Sequence, residues 1–178
     1  MKTLQTIQKT CKVFQTLTKI AMILCFVGSG LLLLGLICGI VISSTGAVIA
    51  GNMETLYRLT SSASFFEMVG TLLAEFVLTL TDALLFFHAW KYFSAEQADG
   101  TPFSHRGADL MKRLGIMLIA LPAVATILVG VLHKIFDLTQ IEAADVGNGT
   151  NVMMGIMLIL VSVILHYGAE LEENRDAR

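Results

Sequence analysis

Three stretches of this chain contain no charged residue: Ile20 to Met53, Leu114 to Leu132 and Val146 to Ala169. Roughly 20 consecutive apolar residues are enough to cross the hydrocarbon core as a helix. A fourth stretch, from Phe65 to Trp90, has the same Leu, Phe, Val and Ala content but is interrupted by Glu67, Glu75 and Asp82. The pattern predicts an all-α polytopic membrane protein, a four-transmembrane-helix bundle with spans at about 20–49, 65–90, 114–134 and 150–168. Residues 1–19 precede the first span and 169–178 form an acidic tail, so the chain reads as a single membrane domain.

Within the N-terminal segment, Leu4, Ile7, Cys11, Phe14 and Leu17 recur at spacings of three and four, with Lys and Gln between them. That periodicity predicts an amphipathic helix. Two placements stay open: a helix lying in the membrane interface, or an extension of the first span packed on its own bundle. The uncharged run that follows is far longer than the 7 to 15 apolar residues of a signal peptide, which argues for a span.

Composition agrees with this class. Hydrophobic residues make up 55% of the chain and charged residues 15%, against the roughly 45–50% and 25% of soluble domains, and the mean hydropathy is +0.75. The net charge of −2 matters less than where the cations lie. Of the 12 basic residues, 10 fall before span one, between spans two and three, or after span four; only Arg58 and Lys134 fall elsewhere. The positive-inside rule therefore predicts cytoplasmic N- and C-termini.

The acids of span two carry the candidate chemistry. At 100° per residue, with Glu67 at zero, Thr71 falls near 40°, Asp82 near 60° and Glu75 near 80°, so the four share one helical face. A carboxylate at bilayer depth costs at least about 2.5 kcal/mol on insertion scales, and such groups often mark proton or cation paths. Glu75, Asp82, Glu67 and Thr71 are thus candidate proton, cation or ligand-binding residues. The structural alternative is that the acids are satisfied inside the bundle, or in the headgroup zone for Glu67. Span one contributes a ladder of small residues, Gly35, Gly39, Ser43 and Ala47, which is a candidate helix-packing or oligomer interface.

Enzyme machinery is not apparent. HExxH and Gly-rich phosphate loops are absent, a paired-aspartate protease would need a second membrane Asp beside Asp82, and Gly28-Ser29-Gly30 lacks the spacing of a nucleophile loop. Cys11, Cys25 and Cys38 form no CxxC, and a metal site from His88, His166 and Asp82 lacks close ligand spacing. The expectation is a non-enzyme without metal or cofactor and without direct nucleic-acid binding. Its expected partners are the lipid bilayer and a membrane partner protein or a second copy.

Between spans two and three, Asp99-Gly100 signals a turn, Pro102 blocks a helix before it, and Ser104 is placed to cap a helix running into span three; Pro122 is placed to kink it. The segment Asp99-Gly100-Thr101-Pro102-Phe103-Ser104, then Leu110-Met111-Lys112-Arg113-Leu114-Gly115, and the run His166-Tyr167-Gly168-Ala169-Glu170-Leu171-Glu172-Glu173 resemble a bacterial four-span membrane family, domain of unknown function 2975. The resemblance spans most of the chain. Where that family's tail continues into Asp-x-Thr, Asp176 is followed here by Ala177 and Arg178. The resemblance implies a helical bundle in a bacterial cytoplasmic membrane and, by analogy with companions of small helix-turn-helix regulators, a sensing or regulatory role. Pro102, Phe103, Tyr167 and Glu170 are candidate cytoplasmic interaction residues. The leading expectation is a binding, sensing or regulatory partner acting through its cytoplasmic face. The alternative is a small proton- or cation-coupled transporter, or a transporter subunit, using Glu75 and Asp82.

Overall fold

In the computed structural model, which describes residues 2–45, 65–99, 104–136 and 149–176, the chain is all-helical. Four helices follow one another: α1 Lys2–Thr45, α2 Phe65–Asp99, α3 His105–Phe136 and α4 Gly149–Asp176. Each is long and apolar enough to cross a membrane, and the chain is a multi-pass membrane protein. The helices overrun the apolar stretches because Lys, Gln, Glu and Ala, abundant in the flanking sequence, propagate a helix well beyond the hydrocarbon zone. The amphipathic segment is accordingly continuous with span one. Two members of its stripe face α2: Cys11 is half-buried, and Phe14 stacks on Phe93 with ring centroids 5.6 Å apart.

Local capping sets the start of α3. Ser104 Oγ accepts the Gly107 N–H at 2.9 Å and the Ser104 carbonyl accepts the Ala108 N–H at 3.0 Å, which supplies partners for two donors of the first turn. Pro122 sits within α3 and is buried, and the helix continues through it.

Among the described residues, α1 packs on α2, α2 on α3 and α3 on α4, while α1 makes no close approach to α3 or α4, nor α2 to α4. The bundle is therefore an open row with two outer helices. On α1 the positions turned from solvent include Cys11, Gln15, Thr18, Met22, Cys25, Ser29, Leu32, Leu36 and Gly39, a series in alternating steps of four and three that Ala21 and Gly28 flank. On α4 the same alternation selects Asn151, Gly155, Leu158, Ser162, Leu165 and Ala169. A repeat of 3.5 residues is the signature of one narrow seam per helix.

The α1–α2 pairing is antiparallel in one register. Stepping from Phe14 to Gly28 to Gly39 along α1 matches equal steps back from Phe93 to Thr79 to Met68 along α2. The buried positions are mostly small, including Ala74, Ala83, Ala95, Ala108, Ala125 and Ala169, as expected where backbones approach in a medium that gives little hydrophobic drive. Large apolar side chains such as Leu24, Leu31, Ile127 and Met157 are exposed instead and face the zone that lipid fills.

The tightest approach is between α3 and α4. A Cβ on Gly115 would lie 2.8 Å from the Gly155 carbonyl oxygen, and a Cβ on Gly155 would lie 2.8 Å from the Gly115 carbonyl oxygen and 2.4 Å from Ile119 Cγ1. Both positions require glycine because the obstacle is backbone. In the Gly35 to Ala47 ladder, by contrast, Gly35 has nothing within 4 Å and Gly39 meets only Met68 Cε, at 3.6 Å. The side chain of Ser43, and Ala47, lie outside the described residues.

Candidate functional site

The polar stripe of α2 is split by packing. Glu67 is half-buried near the start of the helix, and Thr71 Oγ1 donates to the Glu67 carbonyl at 2.8 Å, so its proton is used within its own helix. Thr79 does the same with the Glu75 carbonyl at 2.8 Å. Glu75 and Asp82 are both exposed. Asp82 is the central residue of α2, and Glu75 lies two turns away, about 10 Å along the axis. Glu75 and Asp82 follow Met68 at seven-residue steps and lie opposite Leu32 and Cys25 in the α1–α2 register, so they stand exposed along the edge of that seam.

At the end of the row where both termini lie, the helices bring different chemistry together. A cavity of about 440 Å³ opens between α3 and α4. From α3 it is lined by Ala108, Asp109 and Lys112; from α4 by Ser162, Val163, His166, Tyr167 and Glu170. The antiparallel register set at Gly115 and Gly155 places Ala108 and Ser162 together one heptad further on, and both are buried at its floor. Ser162 Oγ donates to the Ile159 carbonyl at 2.7 Å, leaving its lone pairs for a donor in the cavity. Lys112, Asp109, Tyr167 and Glu170 are exposed along the rim. His166 packs edge-on against His105 with centroids 4.7 Å apart, and His105 Nε2 lies 3.5 Å from Glu173 Oε2, a charged contact when His105 is protonated.

Tyr167 and Glu170, singled out from the sequence, are therefore one lip of this groove, and Pro102 and Phe103 lie outside the described residues. The opposite lip, Asp109 and Lys112, was not singled out, because only the helix register shows that it faces Tyr167. A second polar node joins α2 to α3 at the same end. Tyr92 is buried and donates its hydroxyl to Glu96, and Glu96 Oε2 lies 3.1 Å from where a Cβ on Gly107 would fall. The i, i+4 spacing of Tyr92 and Glu96 is the sequence signal for that pair.

His105 and His166 meet at this end, whereas His88 lies apart from them. His88 Nδ1 lies 2.8 Å from the Leu84 carbonyl of its own helix, and among the described residues no three His, Cys, Asp or Glu side chains converge as a metal-holding group. Comparison of the whole chain with family models, with curated proteins and with solved structures finds no match in any of the three.

Proposed function

We propose that this protein is a non-enzymatic binding or sensing component of a bacterial cytoplasmic membrane, with both termini in the cytoplasm, working through the groove between α3 and α4. One observation carries the reading. A cavity sized for a small molecule gathers two carboxylates, an ammonium, an imidazole and a phenol from two helices at the end favoured as cytoplasmic by the Lys and Arg distribution. The segments that resemble the domain of unknown function 2975 family include Lys112, His166, Tyr167 and Glu170, and a sensing role follows from that resemblance by analogy alone.

The test is photocrosslinking in native membranes from benzoylphenylalanine placed at Tyr167, with Ile156 on the lipid-facing side of α4 as control. A discrete adduct at position 167 that is lost in the Lys112→Met variant is the expected result. Adducts at both positions, unaffected by that variant, would overturn the reading. Transport through Glu75 and Asp82 has weaker support, because both carboxylates are exposed and no enclosed path is formed around them among the described residues. Proteoliposomes loaded with a pH dye are expected to show no flux that depends on these acids.

A further inference from the structure

We infer that the α3–α4 groove binds a phosphoethanolamine headgroup, a primary ammonium joined to a phosphodiester. This rests on the groove being a binding site and adds the chemistry of its occupant. Depth is the first argument. On α3 the rim residue Lys112 is followed after Arg113 by the uncharged run Leu114 to Leu132, and on α4 Tyr167 lies two residues before the end of the uncharged run Val146 to Ala169. The groove therefore lies at the hydrocarbon boundary, where phospholipid phosphates and amines sit and where Tyr is favoured. Val163, one turn deeper than Tyr167 and 61% exposed, gives an acyl chain an apolar surface to follow.

Charge is the second argument. The two carboxylates Asp109 and Glu170 outnumber the one ammonium, Lys112, which disfavours a purely anionic headgroup. Carboxylates accept hydrogen bonds, and a primary ammonium offers three donors, whereas a quaternary ammonium offers none. The phosphodiester finds its donors in Lys112 and the Tyr167 hydroxyl. Among the described residues, the side-chain heads of Asp109, Lys112, Tyr167 and Glu170 make no ion pair or hydrogen bond with one another. The charges of the rim are thus complementary to a zwitterion and not spent on each other. Size is the third argument: about 440 Å³ accommodates the headgroup together with its glycerol.

The same chemistry has two sources, a membrane phosphatidylethanolamine or free glycerophosphoethanolamine. The experiment presents the full chain in detergent with equimolar phosphatidylethanolamine and phosphatidylcholine and counts retained molecules by native mass spectrometry. A second arm titrates glycerophosphoethanolamine. The expected preference for ethanolamine over choline is about tenfold, the scale of one hydrogen bond between charged groups. Asp109→Asn with Glu170→Gln should bring the ratio to about one, and Lys112→Met should weaken both lipids while leaving the ratio, because both carry the phosphodiester. Binding of the soluble compound with no lipid preference would support the chemistry and assign the source to solution. Equal retention of the two lipids with no soluble binding, or a preference unchanged in the double acid variant, would overturn the assignment. All three substituted side chains are exposed, and Val163→Trp, which fills the groove, gives an independent loss of both lipids. If the position 167 adduct persists and still requires Lys112 while the lipid preference is absent, the headgroup falls and the binding surface stands.

Discussion

The α1–α2 and α3–α4 pairs are both antiparallel and both use a seven-residue seam, yet they are held by different means. The first keeps side chains between its backbones: Gly28 has room for a Cβ at 3.7 Å from Thr79 Cγ2, and aromatic rings stack at the terminal end. The second brings carbonyl oxygens to within 2.8 Å of where a Cβ would stand on Gly115 or Gly155. Close packing replaces side-chain bulk there. The difference shows that a conspicuous small-residue ladder does not by itself locate a close crossing. It also explains why the α3–α4 groove lies where it does, since a crossing fixed by two glycines sets the register of the polar side chains beyond it.

Substitutions separate the two pairs in order of effect. Gly155→Val or Gly115→Val should cost about 3 kcal/mol or more, the upper range for overpacking, because the opposing atoms are backbone and cannot rotate away; denaturant titration in mixed micelles should show a large loss of folded protein. Ser104→Ala should cost about 1 kcal/mol through loss of the α3 cap, read by the same titration. Phe14→Ala should cost about 1 kcal/mol, the stacking with Phe93 being partly exposed. Gly28→Ala and Gly35→Ala should change stability by less than about 0.5 kcal/mol or raise it slightly, as Ala is the better helix former and nothing obstructs it. If Gly28→Ala proved as damaging as Gly155→Val, the contrast between the pairs would be lost.

Much of the architecture was legible in the sequence. Uncharged runs located the helices, and Ser104 was readable as a cap because a hydroxyl followed a Pro-containing turn and preceded a helical pattern. Hydropathy reports only the lipid-crossing part, so the helical end beyond Trp90 was underestimated, whereas the helical turns before Leu114 were readable from the Ser104 cap. The Gly115 and Gly155 crossing belongs to seven-residue series, Ala108-Gly115-Pro122-Val129 on α3 and Gly155-Ser162-Ala169 on α4, and a search at four-residue spacing passes over both. Which way Glu75 and Asp82 face was not readable either. A helical wheel groups them on one side, but only the neighbours of α2 determine whether that side is covered. For the groove, Tyr167 and Glu170 on α4 stand out in the closing run of the chain, while their pairing with Asp109 and Lys112 depends on the helix register.

The central claim is that the working surface is the α3–α4 groove and not the membrane carboxylates of α2. It is tested most directly by one comparison in native membranes: the photoadduct at position 167 measured in Glu75→Gln with Asp82→Asn and, separately, in Lys112→Met with Glu170→Gln. The account predicts an adduct unchanged in the first variant and lost in the second. An adduct lost in the first and retained in the second would contradict it.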